Sequence, residues 1–247
     1  ALNGTVAFTA LAIAGTPFAV LLAAFDFDGT LAELDPDPYA VRLHPGAEDA
    51  IRRLAALPGT EVAVLTGRHL AGIRRVLPPD LPATLVGSHG AEPGPELSPA
   101  DQRYLERIER ELRAIAAPPA YVEVKPYQRV LHVAPVEDAE QARAILDAAR
   151  RLDARTVTEG KNVLEFTAVD ITKGTWLAEH KRAFDATVFA GDDDTDETAL
   201  AVLGPGDLGI KVGDKPSAAA LRLADVDAMA DFLTQLADER QAWSATR

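Results

Sequence analysis

Short apolar runs alternate with amphipathic, charged stretches at the start of this chain, give way to a different rhythm in the middle, and return near Asp170. The first run, Ala19-Val20-Leu21-Leu22-Ala23-Ala24-Phe25, reads as a buried strand. The pattern then predicts a helix over 46–57, a strand over 61–66 ended by Gly67-Arg68, a helix over 69–77 before Pro78-Pro79, and a strand over 85–88. Such alternation implies a parallel sheet with right-handed crossovers. Glu92-Pro93-Gly94-Pro95 is a linker by composition. After it come a charged helix over 99–116, strands over 121–124 and 130–133 around a turn at Pro126, a helix over 136–152, and strands over 155–158 and 162–167. Helix–strand–strand, twice over, is an α+β (αββαββ) insert. From Asp170 the first rhythm resumes: a helix from Thr172, a strand over 187–190, an acidic loop opening a helix, a strand over 208–212 and an amphipathic helix over 227–237. The expected fold is α/β, a Rossmann-like parallel-sheet core of residues 1–97 and 169–247 interrupted by a small domain of residues 98–168.

The chain's 247 residues, 47% apolar and 26% charged, are a globular mixture and not a disordered one, with core enough for one large or two smaller domains. A formal charge of -13 argues against a nucleic-acid partner, and an anionic substrate would need local cations to overcome that field. Without cysteine there is no disulfide, thiolate metal site or thiol nucleophile, which fits a reducing, cytoplasmic setting. Residues 1–25 carry no charged side chain, but no Lys or Arg precedes the apolar run and Gly15-Thr16-Pro17 splits it into pieces too short to span a bilayer. A short packed helix followed by the first strand is expected there, with no membrane partner. The chain begins at Ala1 and not Met, so an upstream segment stays open. A monomer is expected.

In Phe25-Asp26-Phe27-Asp28-Gly29-Thr30, two acids follow the first strand directly. Both carboxylates then sit at the carboxyl edge of the sheet, where open α/β folds bind ligands. Forced together, they raise a pKa or call for a cation. Gly191-Asp192-Asp193-Asp194-Thr195-Asp196-Glu197 follows another apolar strand. Helix capping uses one or two such residues; the surplus points to a hard divalent cation, and with Asp26 the loop would form an oxygen cage for Mg²⁺. As a motif by itself, cap and metal site stand level. Thr66 ends a strand, where its hydroxyl and nearby N–H groups suit an oxyanion as well as an ordinary turn. Lys173 opens a helix, a place that disfavours cations. Together these parts match phosphoryl transfer: a carboxylate to attack phosphorus, an acid to protonate the leaving oxygen and then deprotonate water, and cationic groups for the equatorial oxygens.

The order and context of Phe25 to Thr30, Thr66, Lys173 and Gly191-Asp192-Asp193 resemble the four motifs of the haloacid dehalogenase-like phosphatases across nearly the whole chain. That resemblance implies Asp26 as nucleophile and Asp28 as general acid/base, with Thr66 and Lys173 holding the phosphoryl group. It also implies Mg²⁺ bound by Asp26, the backbone carbonyl of Asp28 and Asp192, supported by Asp193 or Asp196, and a C2-type cap in the insert. A narrower resemblance is to the trehalose-6-phosphate phosphatase family. Gly87-Ser88-His89-Gly90-Ala91-Glu92 is similar to its Gly-Asn-His-Gly-Ala-Glu segment, Gly191 to Glu197 to its Gly-Asp-Asp-x-Thr-Asp-Glu, and Gly160-Lys161-Asn162-Val163-Leu164-Glu165 to its Gly-Lys-x-Val-x-Glu strand pair. The family then implies that Lys125, His132, Lys161 and Glu165 bind sugar hydroxyls, and that Gly67, Arg68, His89 and Gly90 line the substrate. Against that, the four cap residues alternate on short strands and also fit a solvated sheet face. Two departures stand out: Ser88 replaces the usual Asn, and Ala134 stands where many members carry Arg. The implied activity is hydrolysis of trehalose 6-phosphate in trehalose biosynthesis. Its rivals are the same chemistry on sucrose phosphate or mannosylphosphoglycerate, and a non-catalytic sugar-phosphate-binding or phospho-sensing module.

Overall fold

In the computed structural model, which describes residues 20–246, the apolar run ahead of Asp26 is strand β1 (Leu21–Phe25), all five side chains buried. The helix expected within residues 1–17 lies outside the described residues. After β1 come α1 (Pro45–Ala55), β2 (Thr60–Leu65), α2 (Leu70–Ile73) and β3 (Thr84–Val86). A middle stretch holds α3 (Pro99–Ile115), β4 (Tyr121–Val124), β5 (Gln128–His132), α4 (Ala139–Arg150), β6 (Thr156–Gly160) and β7 (Val163–Thr167). The chain continues with α5 (Lys173–His180), β8 (Ala186–Gly191), α6 (Glu197–Leu200), β9 (Leu208–Val212), β10 (Leu221–Leu223) and α7 (Val226–Ala245). Two compact units result, one from the chain up to Pro93 together with Ile171 onward, the other from Gly94–Asp170.

The first unit is a Rossmann-like parallel sheet in the order β10-β9-β8-β1-β2-β3. Central strands of such a sheet are covered on both faces, which is why β1 is apolar throughout. Leu21, Ala23 and Phe25 enter one core with Ile51 and Leu54 of α1 and Phe232 and Leu236 of α7. Leu22 and Ala24 enter a second core with Leu177 of α5 and Leu200 of α6. The register pairs Phe25 with Val64 on one side and with Ala190 on the other. Asp26 therefore emerges between the end of β2, which carries Thr66, and the end of β8, which carries Asp192. From β1 the chain builds outward to β2 and β3, and later returns on the opposite side through β8. This reversal is the crevice at which doubly wound sheets bind ligands.

The second unit is an antiparallel sheet, β4-β5-β7-β6. Ile108 and Leu112 of α3 and Ile145 of α4 pack against Leu131, Leu164 and Phe166 on one of its faces. Because side chains alternate along strands, Glu123, Val130 and Glu165, which are cross-strand partners, share the opposite face with Tyr121 and His132.

Three elements differ from the sequence pattern. The helix expected over 69–77 stops at Ile73, and the chain closes i→i+3 turns instead, Arg75 N–H to Gly72 and Val76 N–H to Ile73, before Pro78. Strand β10 has only three residues and leaves no periodic signal. Helix α7 passes the expected end at 237, because Arg240 is fully buried, with Nε donating to Thr60 Oγ1 at 3.1 Å and the guanidinium 4.4 Å from the Trp243 ring. Among the described residues no helix is long and apolar enough to cross a membrane.

Candidate active site

Lys173 organises the crevice. The Thr172 side chain caps α5 by accepting from Thr175 N–H, which sets Lys173 at the first helical position with 2% of its surface exposed. Its ammonium donates to Asp26 Oδ1 at 2.8 Å and to Asp196 Oδ1 at 2.6 Å. Burial works against the charge on Lys173, but Asp196 and Asp26 outweigh it and push its pKa up. The reverse holds for Asp26. Burial, then the charge of Asp196, raise its pKa well above the usual carboxylate value despite the Lys173 contact. Asp192 is pushed up to about 6, again by burial first and Asp196 second.

Asp26, Asp192 and Asp196 each offer an oxygen within 4.8 Å of the others. One ammonium against three carboxylates leaves an excess of negative charge in a poorly hydrated place. Three converging hard oxygens with surplus negative charge suit a divalent cation such as Mg²⁺. Gly29 is part of the fit: its φ is +76°, and a Cβ there would lie 2.2 Å from Asp192 Oδ2. These pKa shifts also fix a sign. A carboxylate with a raised folded pKa contributes stability below its unfolded value of 3.8 that is lost as pH rises through about 6. Metal-stripped protein is therefore expected to melt lower at pH 7 than at pH 5, added Mg²⁺ to narrow the gap, and Asp192→Asn to flatten it. An Asp192→Asn variant with the parental pH slope in thermal melts would refute this.

Other residues singled out by sequence converge here to different degrees. Thr66 is buried, and its Oγ1 accepts from Arg68 N–H at 3.1 Å, leaving its own hydrogen to donate. Asp28 is engaged by Arg68 through both carboxylate oxygens, at 2.7 Å each. Gly67 lies against the His89 ring, where a Cβ would come within 2.5 Å of ring carbon Cε1. His89 N–H donates to the Thr66 carbonyl at 3.0 Å, and Gly90, at φ +111°, approaches the carbonyl of Thr172. The 88–90 turn is thereby packed between the end of β2 and the start of α5. Asp193 stands outside the carboxylate group: Lys215 donates to its Oδ1 at 2.6 Å and lowers its pKa against the effect of burial. Its N–H donates to Asp196 Oδ2 at 2.9 Å. Lys211 and Lys215 were not among the sequence candidates. Lys211 ties the acidic loop through the Asp193 carbonyl and Glu197 Oε1, both at 3.1 Å. A lysine inside the otherwise apolar β9 was its available signal.

In the antiparallel unit, Lys125 Nζ lies 3.7 Å from Glu165 Oε1, and His132 Nε2 is 2.7 Å from Glu123 Oε2. The Tyr121 ring stacks on His132 with centroids 4.6 Å apart and 9° between planes. Lys125 and Glu165 keep 16% and 14% of their side-chain surface, less than a freely solvated face would leave. Lys161 is exposed in the β6–β7 turn, beside the row containing His132 and Val163. Glu123 and Tyr121 went unnoticed in the sequence, though they share the alternation that marks Lys125.

Residues 24–227 match the family model described as trehalose-phosphatase. The chain is 35% identical over 246 residues to a trehalose-phosphate phosphatase of Mycobacterium avium, covering 87% of this chain and 61% of the relative. It thus spans about three fifths of the length of the curated relatives it matches. Among solved structures, the C-terminal domain of a C. albicans trehalose-6-phosphate phosphatase has the same fold, with a TM-score of 0.74 at 19% identity over 96% of this chain and 98% of that one. A haloacid dehalogenase-like hydrolase from B. subtilis also shares it, with a TM-score of 0.59 at 19% identity over 86% and 98%.

Proposed function

Because this chain belongs to the trehalose-phosphatase family, we propose that it hydrolyses trehalose 6-phosphate to trehalose and phosphate through an aspartyl phosphate on Asp26. The observation that carries the chemistry is Asp26 itself, a buried carboxylate at the switch crevice, held by the buried Lys173 beside two further acids. Its carboxylate attacks phosphorus while Lys173 offsets charge on the equatorial oxygens and the Thr66 hydroxyl donates to one of them. Asp28 gives a proton to the departing sugar oxygen, then takes one from the water that hydrolyses the intermediate. Asp26, Asp192 and Asp196, with the backbone carbonyl of Asp28, would hold Mg²⁺. When bound there it supplies positive charge for the phosphoryl oxygens.

Lys125, His132, Glu165 and Lys161 supply donors and acceptors for sugar hydroxyls, so the inserted unit selects the substrate. Ala134, which offers no such group, supports a second reading: the same chemistry on a different sugar phosphate. The protein acts on a small molecule, and we take it to be a cytoplasmic monomer. Phosphate release across trehalose 6-phosphate, sucrose 6-phosphate, mannosylphosphoglycerate and glucose 6-phosphate separates the readings. A kcat/KM for trehalose 6-phosphate at least tenfold above the rest is expected, about 1.4 kcal/mol of discrimination. No preference for it would sink the narrow assignment and leave the phosphatase.

A further inference from the structure

Arg68 follows the Thr66-Gly67 turn, and every nitrogen of its guanidinium is committed. Nε and Nη2 donate to the two oxygens of Asp28 at 2.7 Å each, and Nη1 donates to the Pro38 carbonyl at 2.6 Å. Its backbone is fixed as well, with N–H on Thr66 Oγ1 and the carbonyl accepting from Ser88 N–H at 2.8 Å. The side chain is largely buried, at 13% exposure, and the guanidinium sits 5.5 Å from the centroid of the Phe27 ring. Pro38 is a firm anchor, since its loop is braced by Asp35 accepting from Asp37 N–H, by Asp37 accepting from Tyr39 N–H, and by Arg75 lying 3.5 Å over the Tyr39 ring.

Three of its five N–H groups are engaged within the chain, and the Nε–Nη2 fork that grips a carboxylate or phosphate side-on is spent on Asp28. Two parallel charge-assisted bonds set the orientation of that carboxylate as well as its charge. Held through both oxygens, the Asp28 carboxyl is fixed in place and direction, which a group that must meet a water at phosphorus needs.

We propose that Arg68 is a positioning residue that holds Asp28 as the base for the second half of the reaction and so governs how fast the aspartyl phosphate is cleared. The inference rests on the phosphatase reading above. In that half-reaction an Asp28 oxygen accepts a proton from water, the water oxygen bonds to phosphorus, and the P–O bond to Asp26 breaks. Phosphate departs, Asp26 returns to the carboxylate, and Asp28 keeps the proton it will give to the next leaving sugar oxygen. Lysine in place of Arg68 retains the charge but loses the fork.

The test uses p-nitrophenyl phosphate, whose leaving group departs without protonation. Its kcat/KM reports transfer to Asp26, and its kcat includes clearance. For Arg68→Met, kcat is expected to fall on the order of 10²-fold, while kcat/KM changes no more than about threefold. Rapid mixing should then show a burst of p-nitrophenolate approaching one per active site, followed by the slow phase. Arg68→Lys should recover part of kcat and shrink the burst. Equal losses in kcat and kcat/KM, or a raised KM with kcat kept and no burst, would overturn the proposal and make Arg68 a structural or substrate-binding residue. The underlying reading fails separately, by absent turnover in the parent protein or full turnover in Asp26→Asn.

Discussion

Asp26→Asn is expected to stop phosphate release, a loss on the order of 10⁴-fold or more in kcat, while the protein folds as before. The two halves of that result have different causes. The amide cannot form the acyl phosphate, so the first half-reaction loses the nucleophile assigned to it. Stability goes the other way. The Asp26 carboxylate is disfavoured where it sits, by burial first and then by Asp196, so a neutral isostere removes repulsion. It gives up the 2.8 Å contact with Lys173, but Asp196 still holds that ammonium at 2.6 Å. Without divalent metal, the variant should melt at or above the temperature of the parent. Phosphate release and thermal melting, run on one preparation with chelator, check both. Turnover within tenfold of the parent would refute the nucleophile assignment, and a collapse in melting temperature would refute the electrostatic account.

What the sequence made legible follows from which forces act locally. The run ending at Phe25 had to be a covered strand, and an acid directly beyond it had to face the carboxyl edge of the sheet. Lys173 at a helix start conflicted with the helix dipole, and the conflict is resolved by two carboxylates 147 and 23 residues away in sequence. Nothing local names those partners. Likewise the acidic loop announced a surplus of oxygens but not which ones converge. That choice depends on a short 3₁₀ turn over Asp194–Asp196 that aims Asp196 at Lys173 and leaves Asp193 to Lys215. Arg68 illustrates the same limit. Its motif position fits a substrate ligand, yet the fold closes a 40-residue separation and spends its fork on Asp28. Strand β10 and the far half of α7 escaped because tertiary contacts, not periodicity, define them; burial of Arg240 under Thr60 is one such contact.

The largest effect on stability should come from Lys173→Met. Removing the ammonium leaves Asp26 and Asp196 buried, with 5% and 0% of their surface exposed, and no cation between them. Breaking a buried pair from one side costs about 3–5 kcal/mol, which for a protein of this size is roughly 6–20 °C in melting temperature. The methionine fills the space, so the deficit reports charge and not a cavity. Saturating Mg²⁺ should return part of it, because the cation offsets the Asp26 and Asp196 carboxylates but does not replace the hydrogen bonds that Lys173 made to them at 2.8 and 2.6 Å. Turnover should drop on the order of 10²–10³-fold, since a charge preorganised for the transition state is gone. Coupling supplies the sharper test. In Lys173→Met/Asp26→Asn one of the two stranded carboxylates is gone, so the double variant should melt above Lys173→Met alone. If instead the two losses add, with the double variant lowest, then Asp26 gains more from its surroundings than burial and Asp196 take away. The charge balance that makes this crevice a cation site would then be wrong.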